Sequence, residues 1–529
     1  MVASLVINLY YRVTFIEYLV SQAHLSSKDK YFIKHAAIRG NTDNAMSVDT
    51  ADFAEPLPGH MQYISAYRLL LCRPSDRLTV PEHVVHPPQP DALQTSLIES
   101  WKAAEPGEES RIRLGKLLKE LTHIINEKYG GYGEDGTKRF YVDIFGSVSW
   151  GGNTGHSGDV DLTVLDRELL HGYAPKLWRR LPDESAQNPV DYRRDYIPPP
   201  IEGLPGVYDT YNMQDTLVAA GFEHVETIAA ASTPINKFIY QNLQCDLNVN
   251  DLGGWYNSSL LLHYCNLSPY VLRPMIHALK LWASSHNLND PSGTKGPATM
   301  SSFCLTLMVI AYLQHIGQLP NLQENINVPE IIRPEDTSEH DVVWVSWGKD
   351  QGVKAHVGFN SQPIADWAPH DPDLTAADAI RGFFDYFSLH GISLYGDSFD
   401  RQTHIVSILQ GGIVPRAKEY GQEVREAQQR RVTLMNLGVP LDRIKRSDEM
   451  IKQERLAEEA RMGKGDKGIQ PKNWGERKLV VQDPLLWMKN CAGMMSRDGL
   501  ERWWATVDNT NRFIKLRGAS FTLQDLLML

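Results

Sequence analysis

The chain has 529 residues and a formal net charge of −11, with 42% hydrophobic and 22% charged residues. These values are typical of a globular protein and exclude a collagen, a coiled-coil rod and a wholly disordered chain. At roughly 100–200 residues per domain, the length predicts about two to four domains. The acidic balance excludes a polycation that coats nucleic acid, so contact with nucleic acid requires a local groove.

Cysteine usage bears on compartment and metal chemistry. The five cysteines are scattered and form no C-x-x-C pair, at positions 72, 245, 265, 304 and 491. This pattern argues against a disulfide framework and a zinc ribbon, and it indicates a reducing compartment. We expect a cytoplasmic protein, with the mitochondrion and the nucleus as alternatives.

Residues 1–91 are predicted to be an N-terminal extension, to which the sequence assigns no role. Within it, residues 2–20 are apolar but contain Arg12 and Glu17. The stretch is too short and too charged for a membrane-spanning helix, and it lacks the basic start and cleavage site of a secretory signal. A buried or docking helix is the preferred interpretation, and no membrane contact is expected.

The elements that follow predict an α+β fold. Apolar residues three and four apart predict helix over 92–128, which a Gly-rich break ends. Alternation predicts strands at 141–145 and 159–166, joined by a loop. We assign 92–257 to this sheet domain, whose remaining parts are a Pro-rich insertion near 170–210, a helix near 213–220, and a strand pair at 226–240 and 243–250.

From about residue 258 the pattern changes to long helices, which predict a helical domain over 258–529. Its later parts are a helical stretch at 376–389, a strand at 404–410 and a charged insertion near 416–478.

Three acidic residues are the strongest chemical signal. Asp159 and Asp161 share one face of a predicted strand, with aliphatic residues on the other, and Asp246 lies similarly in the later strand. If the strands are neighbours, three carboxylates converge, and their mutual repulsion favours a bound cation. Oxygen ligands suit a hard ion such as Mg²⁺. An isolated D-x-D pattern is also compatible with the solvated face of an edge strand.

Gly146 and Ser147 add a second signal, because they follow a predicted strand and precede Asp159 by a loop of eleven residues. A glycine lets backbone amides approach a phosphate, and a neighbouring hydroxyl can donate to its oxygens. Together with the acids, this pair predicts a phosphoryl-transfer site.

The arrangement resembles the polymerase-β-like nucleotidyltransferases, whose signature is a hydrophobic-Gly-Ser loop followed by an acid–hydrophobic–acid strand. Over about 110–510 the chain is similar to the template-independent RNA 3′-end poly(A) polymerases and terminal uridylyltransferases. Further strings occur in the family's order: CDLNVNDLGGWYNSSLLLHYC, IHALKLWASSHNLND, SSFCLTLMVIAYLQ, FFDYFSLHG and VVQDPLLWMKN. The resemblance implies a small mixed-sheet palm packed against a mainly helical domain, with a poly(A)-polymerase-associated segment at about 376–510.

The resemblance also implies roles for individual residues. Asp159, Asp161 and Asp246 would hold two Mg²⁺ or Mn²⁺ ions, and an NTP would be the substrate. The implied triphosphate contacts are Gly146, Ser147, Lys280 and Ser302; the ribose contacts are Asn257 and Ser258; Phe303 would stack on the base; and Asp483, Lys489 and Asn490 belong to the nucleotide-recognition segment. On their own, Lys280 would be a solvated helix lysine, Asn257 and Ser258 a turn and cap, and Phe303 a core residue.

The chain departs from the family pattern at several positions. A second phosphate-binding lysine is replaced by Ser284, an aromatic residue by Leu485, and an arginine that resembles an RNA-contacting one by Gly493. Lys489 occupies the position of a histidine in uridine-specific members. Because a lysine only donates hydrogen bonds, it suits acceptors on uracil, cytosine or adenine, and the preferred base stays open.

For RNA binding, Lys237 on the strand before Asp246 is the preferred candidate. The alternative is a basic group that contains nearly as many acids, which favours a solvated charged helix; its members are Arg425, Arg430, Arg431, Arg443, Lys445 and Arg446.

The sequence favours template-independent addition of AMP or UMP, or of CMP, to RNA 3′ ends, with single-stranded RNA and NTP as partners. The alternatives are a catalytically silent scaffold that binds RNA or protein, an enzyme that nucleotidylates a non-RNA acceptor, and a 2′–5′ oligonucleotide synthetase.

Overall fold

A computed structural model describes most of the chain beyond residue 90. The described residues are 91–134, 136–154, 159–169, 172, 206–229, 231, 233–324, 326, 342–347, 351–360, 367–389, 398–416, 429–441, 443–446, 474, 479–487 and 489–528. The predicted extension, its apolar stretch 2–20, and most of the insertions near 170–210 and 416–478 lie outside them. In the described part, no helix is long and apolar enough to cross a membrane.

One mixed five-stranded sheet forms the first layer of the fold. Its strands are β1 (Phe140–Phe145), β2 (Val160–Asp166), β3 (Glu223–Ile228), β4 (Ile235–Tyr240) and β5 (Leu243–Val249). They lie in the order β1-β2-β5-β4-β3, and β2 and β5 are parallel whereas the other pairs are antiparallel. The central position of β2 and β5 places their side chains next to each other.

The helices lie against both faces of the sheet and form most of the rest of the described molecule. In chain order they are α1 (Ala92–Ala104), α2 (Glu108–Tyr129), α3 (Gly146–Trp150), α4 (Thr210–Ala219), α5 (Gly253–Leu267), α6 (Leu272–Ser285), α7 (Ser302–His315), α8 (Ala376–Phe387), α9 (Arg497–Arg517) and α10 (Leu523–Met528). A mixed sheet with this helical complement confirms the predicted α+β class.

The sheet buries its aliphatic face under α2 and α4. Leu117 and Leu121 of α2 pack in one core with Leu162 of β2 and Leu247 of β5. Because side chains alternate along a strand, burying Leu162 turns Asp161 to the opposite face. This alternation directs the acids away from α2 and α4 and towards the side on which α5, α6 and α7 lie.

The second core lies among the helices of the body, where α6 and α7 contribute fully buried side chains. Helix α1 packs against this body: the Gln94 side chain accepts a hydrogen bond from the Ala377 amide at 3.0 Å, and Asp91 pairs with Arg381 at 2.7 Å. The leading helix therefore joins the chain's first described residues to the helical body.

Two hairpins complete the described fold. The strands β6 (Val342–Trp347) and β7 (Gln351–His356) form the first, and β8 (His404–Ser407) and β9 (Gly412–Pro415) form the second. The first hairpin packs on the loop before α5 and on Leu485, so it connects the sheet domain with the segment around Asp483. The sequence analysis did not predict this hairpin.

The predicted strand at 404–410 ends at Ser407, and two further differences lie in the sheet domain. The predicted loop after β1 begins as the short helix α3, which ends at Gly151 in the left-handed conformation. The predicted strand 226–240 is two strands, β3 and β4, joined by a turn. Pro234 explains the break, because it lacks a backbone N–H and lies directly before β4.

Candidate active site

The register of β2 and β5 brings two of the predicted acids together. Asp161 is the direct neighbour of Asp246 across the parallel strands, and Asp159 lies just before β2, exposed. Burial and the nearby Asp246 and Asp159 carboxylates raise the pKa of Asp161 to about 7. The acids therefore form a cluster whose negative charge is only partly neutralised.

Lys237 is the cation nearest to Asp246. The two residues are direct neighbours on β4 and β5, and the lysine Nζ donates to both carboxylate oxygens of Asp246 at 3.0 and 2.9 Å. Its hydrogen bond with Asp246 raises the pKa of Lys237. The predicted RNA-binding lysine thus lies in the acidic cluster itself.

Gly146 is required by a close approach to Asp161. The glycine has a φ of +69°, and a Cβ atom added there would lie 2.8 Å from Cγ of Asp161 and closer still to its Oδ2. Only glycine fits this conformation and this space without strain. Ser147 follows in the first turn of α3.

A cleft of about 560 Å³ opens in front of this cluster. The predicted site residues that line it are Gly146, Ser147, Asp159, Asp161, Asn257, Ser258, Lys280, Ser302, Phe303, Asp483 and Lys489. Asp246, Lys237 and Asn490 are not among the lining residues. Most of the residues that the family pattern assigns to nucleotide binding thus converge on one cavity.

Lys280 lies on α6 with its ammonium group at the cleft. Burial lowers the pKa of Lys280 to about 8, although the Asp161 carboxylate opposes this shift. Its Nζ donates to the Gly152 carbonyl and lies 5.8 Å from the centre of the Trp150 ring. A lysine in this position can neutralise a phosphate oxygen in the cleft.

Asn257 and Ser258 lie side by side on α5 but differ in their partners. The Ser258 hydroxyl donates to the Gly254 carbonyl and accepts a hydrogen bond from the Gly146 amide at 2.7 Å, so it anchors the start of α3. By contrast, Oδ1 of Asn257 is buried and has no hydrogen-bond partner within the described residues. An unsatisfied buried acceptor beside a cleft can accept a hydrogen bond from a ligand or from an ordered water.

Ser302 and Phe303 begin α7, where Ser301 caps the helix by accepting a hydrogen bond from the Cys304 amide. The Phe303 ring packs partly against the helical core and partly lines the cleft. Its position combines the core role that an aromatic residue in an apolar helix normally has with a ligand-facing surface.

Asp483 and Lys489 form the opposite end of the cleft. The Asp483 carboxylate accepts from the Leu485 and Leu486 amides, both at 3.0 Å, and pairs with the Lys489 ammonium at 3.1 Å. Burial by itself lowers the pKa of Lys489, but the charge and hydrogen bond of Asp483 together with the nearby Cys491 and Asp251 outweigh burial, and the net shift is upward. Lys489 therefore stays a cationic donor.

Asn490 has a structural position. Its Oδ1 accepts from the Val481 and Ala492 amides, and its Nδ2 donates to the Leu479 carbonyl at 3.1 Å. These bonds hold the backbone that carries Lys489, and the side chain does not line the cleft.

Several lining residues were missed by the sequence analysis. Asp251, two residues after the end of β5, lines the cleft and accepts a hydrogen bond from Thr233 at 2.8 Å. Val345 and Ala355 of the β6–β7 hairpin form an apolar wall. A polar residue at the end of a predicted sheet strand was available as a signal for Asp251, whereas nothing in the local pattern connects the hairpin with the cleft.

The donor set of the cluster fits a hard cation, since carboxylate oxygens are the ligands that Mg²⁺ and Mn²⁺ prefer. The raised pKa of Asp161 fits as well, because a bound cation would relieve the repulsion that causes it. In the part of the chain that the structure covers, however, no three His, Cys, Asp or Glu side chains already surround one point. Asp246 is held by Lys237, so a cation bound by all three acids requires rearrangement of these side chains.

Comparison with known proteins assigns the sheet domain. Residues 93–266 match the family model described as the central palm domain of poly(A) RNA polymerase, mitochondrial-like. Poly(A) RNA polymerase GLD2-A from Xenopus laevis is 29% identical over 194 residues, which is 36% of this chain and 32% of the relative. Poly(A) RNA polymerase GLD2 from Mus musculus is 30% identical over 202 residues, which is 37% and 35% of the two chains. The chain spans about a third of the length of these relatives.

The fold extends further than the sequence match. The Cid1 poly(U) polymerase crystal structure superimposes with a TM-score of 0.50 and 18% identity, and it covers 82% of this chain and 97% of its own. At this identity the likeness shows the fold. Residues 93–266 are therefore similar to the palm domain of poly(A) RNA polymerases.

Proposed function

We propose that this chain adds ribonucleotides, without a template, to the 3′ ends of RNA. The observation that carries the proposal is that Asp161 and Asp246 are cross-strand neighbours at a cleft. Ser147, Asn257 and Lys280 line the same cleft. Acids for cations, a lysine for phosphate and an open acceptor for a sugar hydroxyl are the groups that nucleotidyl transfer from an NTP requires.

In the proposed reaction, the RNA 3′-hydroxyl attacks the α-phosphorus of an NTP. A new phosphodiester bond forms, the bond to the β-phosphate breaks, the hydroxyl proton is released and pyrophosphate leaves. Asp159, Asp161 and Asp246 would hold the divalent cations, which when bound stabilise charge on the attacking and leaving oxygens. Ser147, Lys280 and Ser302 would bind the triphosphate, so the chain neutralises the leaving group.

Asn257 supports a preference for ribonucleotides. Its unpartnered Oδ1 accepts one hydrogen bond, and a ribose hydroxyl is a donor of the right kind. A 2′-deoxynucleotide offers one hydroxyl fewer. We therefore assign the sugar contact to Asn257, and we assign Ser258 to supporting the Gly146 backbone rather than to the ligand.

The base is proposed to lie between Phe303 and the wall that carries Lys489. Lys489 donates only, so adenine, uracil and cytosine all remain candidates for the incoming base. RNA would be held in part by Lys237, and a cytoplasmic site of action is proposed from the reduced cysteines. In the described residues Cys245, Cys265, Cys304 and Cys491 are free thiols.

An extension assay tests the proposal. The purified chain is incubated with a labelled single-stranded RNA, Mg²⁺ or Mn²⁺, and each of the four NTPs in turn. We expect a ladder with at least one NTP, pyrophosphate release, and no ladder with Asp161→Ala, whose fold is checked by circular dichroism. A product resistant to a nuclease specific for 3′–5′ linkages would instead indicate 2′–5′ synthesis, and no product from folded wild type would favour a silent scaffold or a non-RNA acceptor.

A further inference from the structure

A row of four charged side chains crosses the sheet from the cleft to its edge. Asp161 on β2 faces Asp246 on β5, Asp246 faces Lys237 on β4, and Lys237 faces Glu226 on the edge strand β3. Direct cross-strand partners lie on the same face of a sheet. The row therefore reads acid, acid, base, acid, with Lys237 between two carboxylates.

Lys237 is bonded to the Asp246 carboxylate, which is also one of the groups that a cation would use as a ligand. Its ammonium group donates to both oxygens of Asp246, at 3.0 and 2.9 Å. Both oxygens that would coordinate a cation are therefore already engaged. A divalent cation at Asp246 would also be repelled by an ammonium group at this distance. The cation and Lys237 therefore compete for Asp246.

The lysine can leave Asp246 at small cost. Its side chain is 39% exposed, and ion pairs that solvent reaches contribute little to stability. Glu226 is exposed on the adjacent strand and also raises the pKa of Lys237 through its charge. A flexible lysine thus has a second carboxylate within its own row.

We infer that Lys237 is a built-in counter-ion that occupies Asp246 until a divalent cation binds, and that it then moves towards Glu226. The inference rests on the proposed function, because that function brings the cation to the acids. It gives Lys237 a positioning role: the lysine keeps the acidic cluster partly neutral without a cation, and its ammonium group becomes available to RNA once a cation is bound.

Amine labelling tests the movement directly. Wild-type protein is treated with an N-hydroxysuccinimide ester in EDTA, in Mg²⁺ and in Ca²⁺, and modification is quantified by mass spectrometry. We expect the labelling rate of Lys237 to rise about threefold with either cation, because breaking the ion pair frees the amine. Lys128, exposed in the last turn of α2, is the internal control and should keep its rate.

Cation affinity tests the competition. From the cation-dependent shift in melting temperature, Lys237→Met should bind Mn²⁺ about fivefold more tightly than wild type, and Glu226→Gln about twofold more weakly, since its lysine has lost the alternative partner. Lys237→Arg should also bind the ion more weakly, because its fork holds both carboxylate oxygens. Lys128→Met should match wild type.

The outcomes separate this inference from the proposed function. If Asp161→Ala abolishes the cation-dependent stabilisation, yet Lys237 labelling is unchanged by cations and Lys237→Arg behaves as wild type, the inference is overturned and the proposed function stands. If no cation stabilises wild type, both fail.

Discussion

The two ends of the cleft differ in how well their charges are satisfied. At the palm end, Asp161 and Asp246 repel each other and Oδ1 of Asn257 has no partner among the described residues. At the recognition end, Asp483 is only 1% exposed yet binds two backbone amides and the Lys489 ammonium. The charge of the Asp161–Asp246 pair is thus only partly neutralised, whereas the Asp483 carboxylate is satisfied by groups of the chain itself.

This difference indicates separate tasks. In the proposed reaction, the acidic cluster acts on the reacting phosphate atoms, which are common to every NTP. The ion pair between Asp483 and Lys489 holds one hydrogen-bond donor in a defined position. In the proposed reaction this donor faces the base, which is the part that differs between NTPs. Changes at the palm end should affect all substrates equally, and changes at the recognition end should alter their ratio.

The same substitution at the two ends should have opposite effects on stability. Because the pKa of Asp161 is raised from 3.8 to about 7, the folded protein binds this proton more tightly than the unfolded chain does. Ionisation of Asp161 therefore lowers the free energy of unfolding, with no effect below about pH 4 and the full effect above about pH 7. Asp161→Asn should remove this loss, raising stability by about 2–4 kcal/mol at pH 8 and by nothing at pH 4.

Asp483→Asn is the matched comparison. It weakens the pairing of a buried carboxylate that is already satisfied, so it should destabilise by about 1–2 kcal/mol. Urea unfolding in EDTA between pH 4 and pH 8 measures both variants. A pH-independent Asp161→Asn effect, or the same sign for both variants at pH 8, would remove the contrast between the two ends.

Gly146→Ala should be the next largest effect. The added Cβ must displace the Asp161 carboxylate, and misplacing a catalytic group by about 1 Å costs on the order of a hundredfold in rate. We expect extension activity to fall about a hundredfold or more with every NTP. Steady-state extension assays at saturating RNA measure the change.

Gly221→Ala controls for backbone strain in this experiment. Gly221 also has a positive φ, +86°, but nothing lies within 4 Å of an added Cβ. The Gly221→Ala variant should have a free energy of unfolding about 1–2 kcal/mol lower than wild type and should keep its extension activity. Equal activity losses in the two variants would show that strain, and not the contact with Asp161, explains the effect of Gly146→Ala.

The two cleft lysines offer the smallest and most specific comparison. Lys280→Met should lower kcat/KM for all active NTPs by a similar factor, because phosphate is common to them. Lys489→Met should change the ratio between bases by about tenfold, which corresponds to loss of one charged hydrogen bond. Competition assays with NTP mixtures measure the ratio; a uniform loss for Lys489→Met would assign it to the phosphates or to structure.

Much of the palm end could be predicted from the sequence because its signals are local. Strand alternation predicted that Asp161 faces away from the aliphatic residues, and the structure places Leu162 in the core and Asp161 at the cleft. One interpretation of alternation was wrong: the stretch 226–240 was predicted as one strand, but its middle, which contains Pro234, separates β3 from β4.

The recognition end was less predictable because its contacts are distant in sequence. The β6–β7 hairpin reaches the cleft only through packing on Leu252 and Leu485, which are far apart in the chain. The partners of the acids on β2 were equally hard to predict. Asp166 lies on the same predicted strand as Asp161, but its carboxylate accepts hydrogen bonds from Arg139 at 2.9 and 2.8 Å and from Tyr208 at 2.6 Å. The sequence pattern does not distinguish an acid that is neutralised within the protein, such as Asp166, from one that is not, such as Asp161.

By itself, the sequence determined the α+β class, the acids, the glycine and the order of the helices, because periodicity and backbone preference depend on neighbouring residues. Only the tertiary structure decided which groups are already satisfied: Ser258 by Gly146, Asp246 by Lys237 and Asp483 by Lys489. Satisfaction of charge and hydrogen bonds depends on distances of about 3 Å between residues from different elements, and those distances exist only once the chain is folded.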